Sequence, residues 1–129
     1  MVQDSWTRVA EDQSGAANLF YSRLFELDPS IQYLFKGDLE DQKMRLMGMF
    51  NVAVRGLDKL DEMIPMFEAL GKRHVSYSVL EEHYATMGKA LLYMIEKRMG
   101  ADFNPDLSAA WTEVFDRWAG AMLTGAAST

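Results

Sequence analysis

Apolar residues recur along this chain with the period of an α-helix, and no stretch alternates as a half-buried strand must. Runs of β-branched residues are missing, and no Asn-Gly or Asp-Gly turn separates apolar segments. The three prolines punctuate the helical pattern. Asp28-Pro29 and Asn104-Pro105 each read as an N-cap residue followed by proline at the first helical position. Pro65 reads as a weaker start of the same kind, and Gly56 and Gly100 each close an apolar-periodic segment with a basic residue, Arg55 or Arg98, in its last turn, as helix-terminal glycines do. The spacing predicts helices over 3–12, 15–27, 29–35, 39–55, 58–63, 65–75, 81–99 and 105–124, with a frayed Gly/Ala/Ser/Thr tail from Gly125. Helices of such unequal length do not make a regular up-and-down bundle; they imply a layered all-α fold with crossed packing.

A length of 129 residues sets one domain, 1–129, as the expectation. A chain of this size buries about two-thirds of its unfolded surface and needs neither disulfide nor metal staple to fold. Nineteen acids against thirteen bases leave a net charge of −6, which argues against nucleic acid or an anionic membrane as the main partner. Zero cysteines exclude thiol catalysis, iron–sulfur clusters, thiolate zinc sites and thioether-linked haem, and two histidines exclude a three-histidine zinc site. No basic region followed by an apolar run opens the chain, and no segment approaches the roughly 18 apolar residues of a membrane span, so a cytoplasmic location is expected.

The informative residues are polar ones on apolar helical stripes. Phe67, Leu70, Gly71 and His74 share one face, which places His74 at the C-terminal end of an inward stripe beside Lys72 and Arg73. Alone, His74 also fits a core histidine bonded to a carbonyl, or one complementing the helix dipole. Gln42 heads a stripe with Leu46, Met49 and Ala53, and Tyr21 shares a face with Ala17, Leu24 and Phe25. A first-turn glutamine still in water, or a phenol reaching a carbonyl, would account for each separately. A buried amide or phenol without a partner costs about 1–3 kcal/mol, and one buried polar ligand would satisfy all three residues together.

Trp6, LFYSRLFELDPS at 19–30, LF at 34–35, DQKMRLM at 41–47, LGKRHVSYSV at 70–79, HYATMGKALL at 83–92 and AAW at 109–111 form, in this order and spacing, a pattern covering nearly the whole chain. It resembles the globin family, specifically the bacterial single-domain globins and the haem domain of flavohaemoglobins. The resemblance implies a globin fold, with helices crossed three on three around one pocket for non-covalent haem b. His74 matches the proximal histidine that ligates the iron, and Phe35 the aromatic residue against the haem face. Gln42 matches the distal-helix position facing the gas, Leu46 the apolar residue one turn on, and Tyr21 the second-helix tyrosine that points into the distal pocket. Val79, Tyr84 and Met87 match positions lining the proximal and inner haem edge. Arg45 and Arg73 are candidates for the haem propionates, with plain solvated charges as the alternative. His83 follows Glu81 and Glu82 in a first helical turn and reads as exposed surface.

The resemblance further implies reversible binding of oxygen and of other diatomic gases, nitric oxide and carbon monoxide. Tyr21 and Gln42 are both hydrogen-bond donors, and two donors worth about 1–1.5 kcal/mol each would slow oxygen release by a factor of roughly 30–100. The ten methionines suit a pocket closing round a large flat ligand, although core filling accounts for them as well. In flavohaemoglobins a glutamate late in the last helix bonds the proximal histidine; here Ser128 or a neighbouring small residue takes its place, and Tyr84 matches the accompanying tyrosine. Loss of that carboxylate makes the imidazole less electron-donating. The chain ends at Thr129 without flavin and nicotinamide domains, so nitric oxide dioxygenation would need a separate reductase. Gas binding, dioxygenation with such a reductase, and a sensor module are the three functions compatible with these residues.

Overall fold

A computed structural model of the chain describes residues 2–34, 38–76 and 81–127. Among them are six α-helices: α1 (Val2–Val9), α2 (Gln13–Leu27), α3 (Leu39–Arg55), α4 (Leu60–Ser76), α5 (Glu81–Met99) and α6 (Pro105–Ala127). Short 3-10 segments at Ala10–Asp12, Pro29–Leu34, Gly56–Lys59 and Gly100–Asp102 link or extend them. No strand occurs among the described residues, as the missing alternation predicts.

Short polar side chains start the helices. Asp12 Oδ1 accepts from Gly15 N at 3.0 Å, Asp38 Oδ1 from Glu40 N at 2.9 Å, and Asn104 Oδ1 from Leu107 N at 2.8 Å. Each meets one of the N–H groups that a helix start leaves without an intrahelical partner. Asp28 behaves likewise towards Ser30 N at 3.1 Å, but the Asp28-Pro29 signal opens 3-10 rather than α-helix. Gly100 adopts φ +59, the left-handed conformation that lets the chain turn off α5.

Two expectations are corrected. Segments 58–63 and 65–75 are one helix, with Pro65 inside α4. Proline there forgoes one hydrogen bond near the helix start, while the apolar stripe of Leu60, Met63, Ile64, Phe67 and Leu70 runs on past it. Nor does the tail fray at Gly125: α6 continues to Ala127, and Gly125 is buried. The reason lies across the helix pair, for a Cβ on Gly125 would come within 2.0 Å of Glu68 O, and one on Gly71 within 1.8 Å of Met122 O. Small residues at both points let the backbones of α4 and α6 touch.

The most extensive packing is of α4 on α6 and of α2 on α5; α5 also meets α1 and α6, while α3 lies against α1 and α2. Aromatic rings join the layers. Trp6 packs on Phe50 at 5.7 Å and on Trp111 at 6.1 Å; Phe50 reaches Phe20 at 5.8 Å and Trp118 at 6.3 Å; Trp118 stacks on Phe67 at 6.0 Å. Edge-on and offset contacts of this kind add to the burial of the rings themselves. The indoles find polar partners where the core allows: Trp111 Nε1 donates to Ser5 Oγ at 2.8 Å and Trp6 Nε1 to Asn51 Oδ1 at 2.7 Å. Among the described residues, no helix is long and apolar enough to cross a membrane.

Candidate functional site

His74 lies near the C-terminal end of α4, half-buried, one helical turn beyond Leu70 and Gly71. Its height along α6 is set by the close approach at Gly71, which stands only three residues before it. Across from it, Tyr84 in the first turn of α5 is 4% exposed, and its hydroxyl lies 2.9 Å from His74 Nδ1. The two ring centroids are 5.8 Å apart. In the tautomer that donates from Nδ1 to the phenol oxygen, Nε2 keeps its lone pair.

Burial pushes the His74 pKa below its ordinary value, and the guanidinium charge of Arg73 adds to the effect. Both favour the neutral imidazole, the form that ligates a metal. Burial also pushes the Tyr84 phenol up, so it stays a protonated partner at neutral pH.

A second pair forms between α2 and α3. Tyr21 is 3% exposed, with its ring edge-on to Phe20 at 5.5 Å and tilted against Phe25 at 5.7 Å. Burial raises its pKa to about 12, which keeps the hydroxyl a donor throughout the physiological range. That hydroxyl donates to the main-chain carbonyl of Gln42 at 3.5 Å, a long bond. Gln42 itself is half-buried in the first turn of α3, rather than fully in water as a first-turn residue could be.

The remaining residues that the sequence points to divide three ways. Leu46 and Met87 are half-buried against the core. Arg45 and Arg73 are exposed, compatible with either reading of them. Phe35, Val79 and Ser128 lie outside the described residues.

His83 requires a correction: it is 9% exposed, and not a surface residue. Its position explains why, since His83, Met87, Ala90 and Met94 follow at i, i+4, i+7 and i+11 on the inner stripe of α5. The acidic pair Glu81 and Glu82 masks that register in the sequence.

Trp118 carries no signal of its own in the sequence, yet its surroundings concern the same region. It is 3% exposed between Phe50 of α3 and Phe67 of α4, and its buried indole N–H meets no hydrogen-bond partner among the described residues. A buried donor left unmet costs about 1–3 kcal/mol. Only the three-dimensional packing reveals it, because the period places Trp118 on an ordinary core stripe.

Known proteins resemble this chain along most of its length. The family model for globins matches residues 18–122. Neuroglobin of Danio rerio is 27% identical over 97% of this chain and 87% of its own length. Neuroglobin-1 of Oncorhynchus mykiss is 28% identical over the same shares. A crystal structure of the closed form of HGbRL's globin domain is 34% identical, aligns with 99% of this chain and 93% of its own, and superposes with a TM-score of 0.50. The family match spans most of the chain, from within α2 to late α6. With its all-helical architecture and these relatives, the chain belongs to the globin family.

Proposed function

We propose that this chain is a single globin domain that holds non-covalent haem b through His74 and binds oxygen or another diatomic gas reversibly. The observation that carries the reading is the half-buried imidazole of His74, held 2.9 Å from the Tyr84 hydroxyl through Nδ1, in a setting whose burial favours its neutral form and lets Nε2 serve as a nitrogen ligand. The donor set suits haem iron: one imidazole, no thiolate, and no cysteine for covalent attachment. The indole N–H of Trp118, buried between α3 and α4 and unmatched among the described residues, adds support, because it leaves a polar requirement between the helices carrying Gln42 and His74. When bound, the haem iron supplies the open coordination position at which a diatomic gas binds.

The chain's own residues do the rest. Tyr84 orients the imidazole, and when its oxygen accepts from Nδ1–H the Nε2 lone pair is left for a metal. Tyr21 keeps a protonated hydroxyl in an apolar setting of Phe20, Leu24 and Phe25, and the weak bond to the Gln42 carbonyl is readily exchanged for a better acceptor. Gln42 contributes an amide donor from the neighbouring helix, and Leu46, one turn further along α3, helps exclude water. Phe35, Val79 and Met87 would complete the apolar walls, and Arg45 and Arg73 would meet the propionates from the surface.

Titration of the purified chain with haemin tests the reading. A Soret band at one equivalent is expected, together with its loss in His74→Gly and partial return on adding free imidazole. A wild-type chain that fails to develop the band, or a His74→Gly variant that develops it fully, would overturn the assignment.

A further inference from the structure

We propose that the outer face of α3 is a docking surface for a second copy of this chain, paired antiparallel about a two-fold axis at Gly48. Asp41, Met44, Gly48, Val52 and Arg55 are all exposed, and they follow one another at steps of three, four, four and three residues. This spacing keeps them on one stripe of the helix. It is also symmetric: the same steps lead outward from Gly48 in both directions. A two-fold axis through Gly48 brings each position level with its mirror position in the partner, as an isologous interface requires.

The chemistry follows the same symmetry. Asp41 and Arg55, seven residues to either side of Gly48, carry opposite charges, so antiparallel pairing sets the carboxylate of each copy level with the guanidinium of the other. Neither residue makes an ion pair within its own chain among the described residues. A parallel arrangement would instead oppose like charges. Between the charged ends lie Met44 and Val52, 57% and 52% exposed, two of the three large apolar side chains that stand out from the described surface. Val52 is β-branched and Gly48 lacks a side chain; neither favours an exposed helix interior for its own sake. A Cβ on Gly48 would meet nothing within 4 Å, so the chain's own packing does not require glycine there. An approaching helix backbone gains from it, as α4 and α6 gain from Gly71 and Gly125.

The area sets the strength. A helix of 17 residues is about 25 Å long, and one such face falls short of the roughly 800 Å² per partner of a stable dimer. The pairing is therefore reversible and grows with concentration. Because its main directional contacts are surface charges, it weakens with salt.

Sedimentation velocity on the full chain from about 1 μM to about 1 mM, at low and at high salt, reads the association directly. A monomer–dimer equilibrium that shifts towards monomer in salt is expected. Asp41→Arg places two guanidinium groups together at each end of the interface, and Arg55→Asp places two carboxylates there, so each variant alone should dimerise at least tenfold more weakly. Mixed in equal amounts, the two variants regain opposite charges at both ends and should associate as the wild type does. Gly48→Glu, whose side chain enters open space in the monomer, should keep its helical circular dichroism and stay monomeric. A wild type monomeric throughout, a mixture no more associated than its components, or a Gly48→Glu dimer as strong as wild type would each overturn the proposal.

Discussion

The two polar pairs that the fold assembles differ in how firmly they are held. His74 and Tyr84 meet at 2.9 Å, and α4, which carries the imidazole, is seated against α6 with backbone touching backbone at two glycines. Tyr21 meets the Gln42 carbonyl at 3.5 Å, from a helix whose outer face is open to solvent along its length. In the first pair, the helix that carries the histidine is seated by main-chain packing that has no slack. The other is a long contact whose donor is well buried. For a gas-binding reading this division of labour is sensible: the metal ligand must not move, whereas a donor towards an exchanging ligand must be released and recaptured in every cycle.

Loosening the firm side should have the largest effect. Gly71→Ala would drive a methyl into Met122 O, and backbone cannot turn aside as a side chain can. A stability loss of about 3 kcal/mol is expected, at the upper end for overpacked cores. Gly125→Ala should act similarly against Glu68 O, and the two losses should not add, since either one already parts the helices. Urea titration followed by circular dichroism measures both; a loss near zero would show that α4 and α6 are not seated as described.

A smaller effect is expected on the adjustable side. Tyr21→Phe removes a donor but keeps the ring contacts with Phe20 and Phe25, so oxygen should dissociate about tenfold faster from the haem-loaded variant while stability changes little. Stopped-flow dissociation tests this, and an unchanged rate would remove Tyr21 from ligand stabilisation. Gln42→Leu should act in the same direction and more weakly, because the main-chain carbonyl that holds the Tyr21 hydroxyl survives the substitution.

The smallest effect is a pH dependence in which His74 and Tyr21 act at opposite limits. In the folded chain the His74 pKa lies below its ordinary 6.5, whereas the unfolded chain takes up the proton near that value. The unfolded state therefore binds more protons below about pH 6.5, and the haem-free protein loses stability as pH falls through that range. Tyr21 acts at the alkaline end. Its folded pKa of about 12 exceeds the ordinary 10, so the unfolded state ionises first and stability falls as pH rises from 10 towards 12. In denaturant titrations across pH, His74→Gln should reduce the slope of the acid limb only and Tyr21→Phe that of the alkaline limb only, where Tyr84, also raised by burial, supplies what is left.

Much of this architecture is legible in the amino-acid sequence. The stripe Phe67, Leu70, Gly71 and His74 puts the imidazole at the end of an inward face by counting alone, and Asn104-Pro105 marks the start of α6 correctly. Three features are hidden, each for a physical reason. Pro65 looks like a break because local chemistry says so, but a continuous apolar stripe on both sides outweighs one lost hydrogen bond. His83 looks exposed because two acids precede it, although its own register is that of Met87 and Met94. The small residues near the C-terminus resemble a loose tail, since a sequence does not reveal that another backbone lies against them. Family resemblance suggests Tyr84 as a neighbour of the histidine; the distance between them follows only from where the fold sets the end of α4 and the start of α5.

The twin glycine contacts also make α4 and α6 behave as a vernier. Sliding one helix along the other would carry Gly71 and Gly125 out of step with Met122 and Glu68 together, so only one setting brings both gaps into alignment. His74 inherits that setting from a point one turn away. An engineer wishing to raise or lower the imidazole by a fraction of an ångström would therefore adjust Gly71 and Gly125 as a matched pair, and leave the histidine and its neighbours untouched.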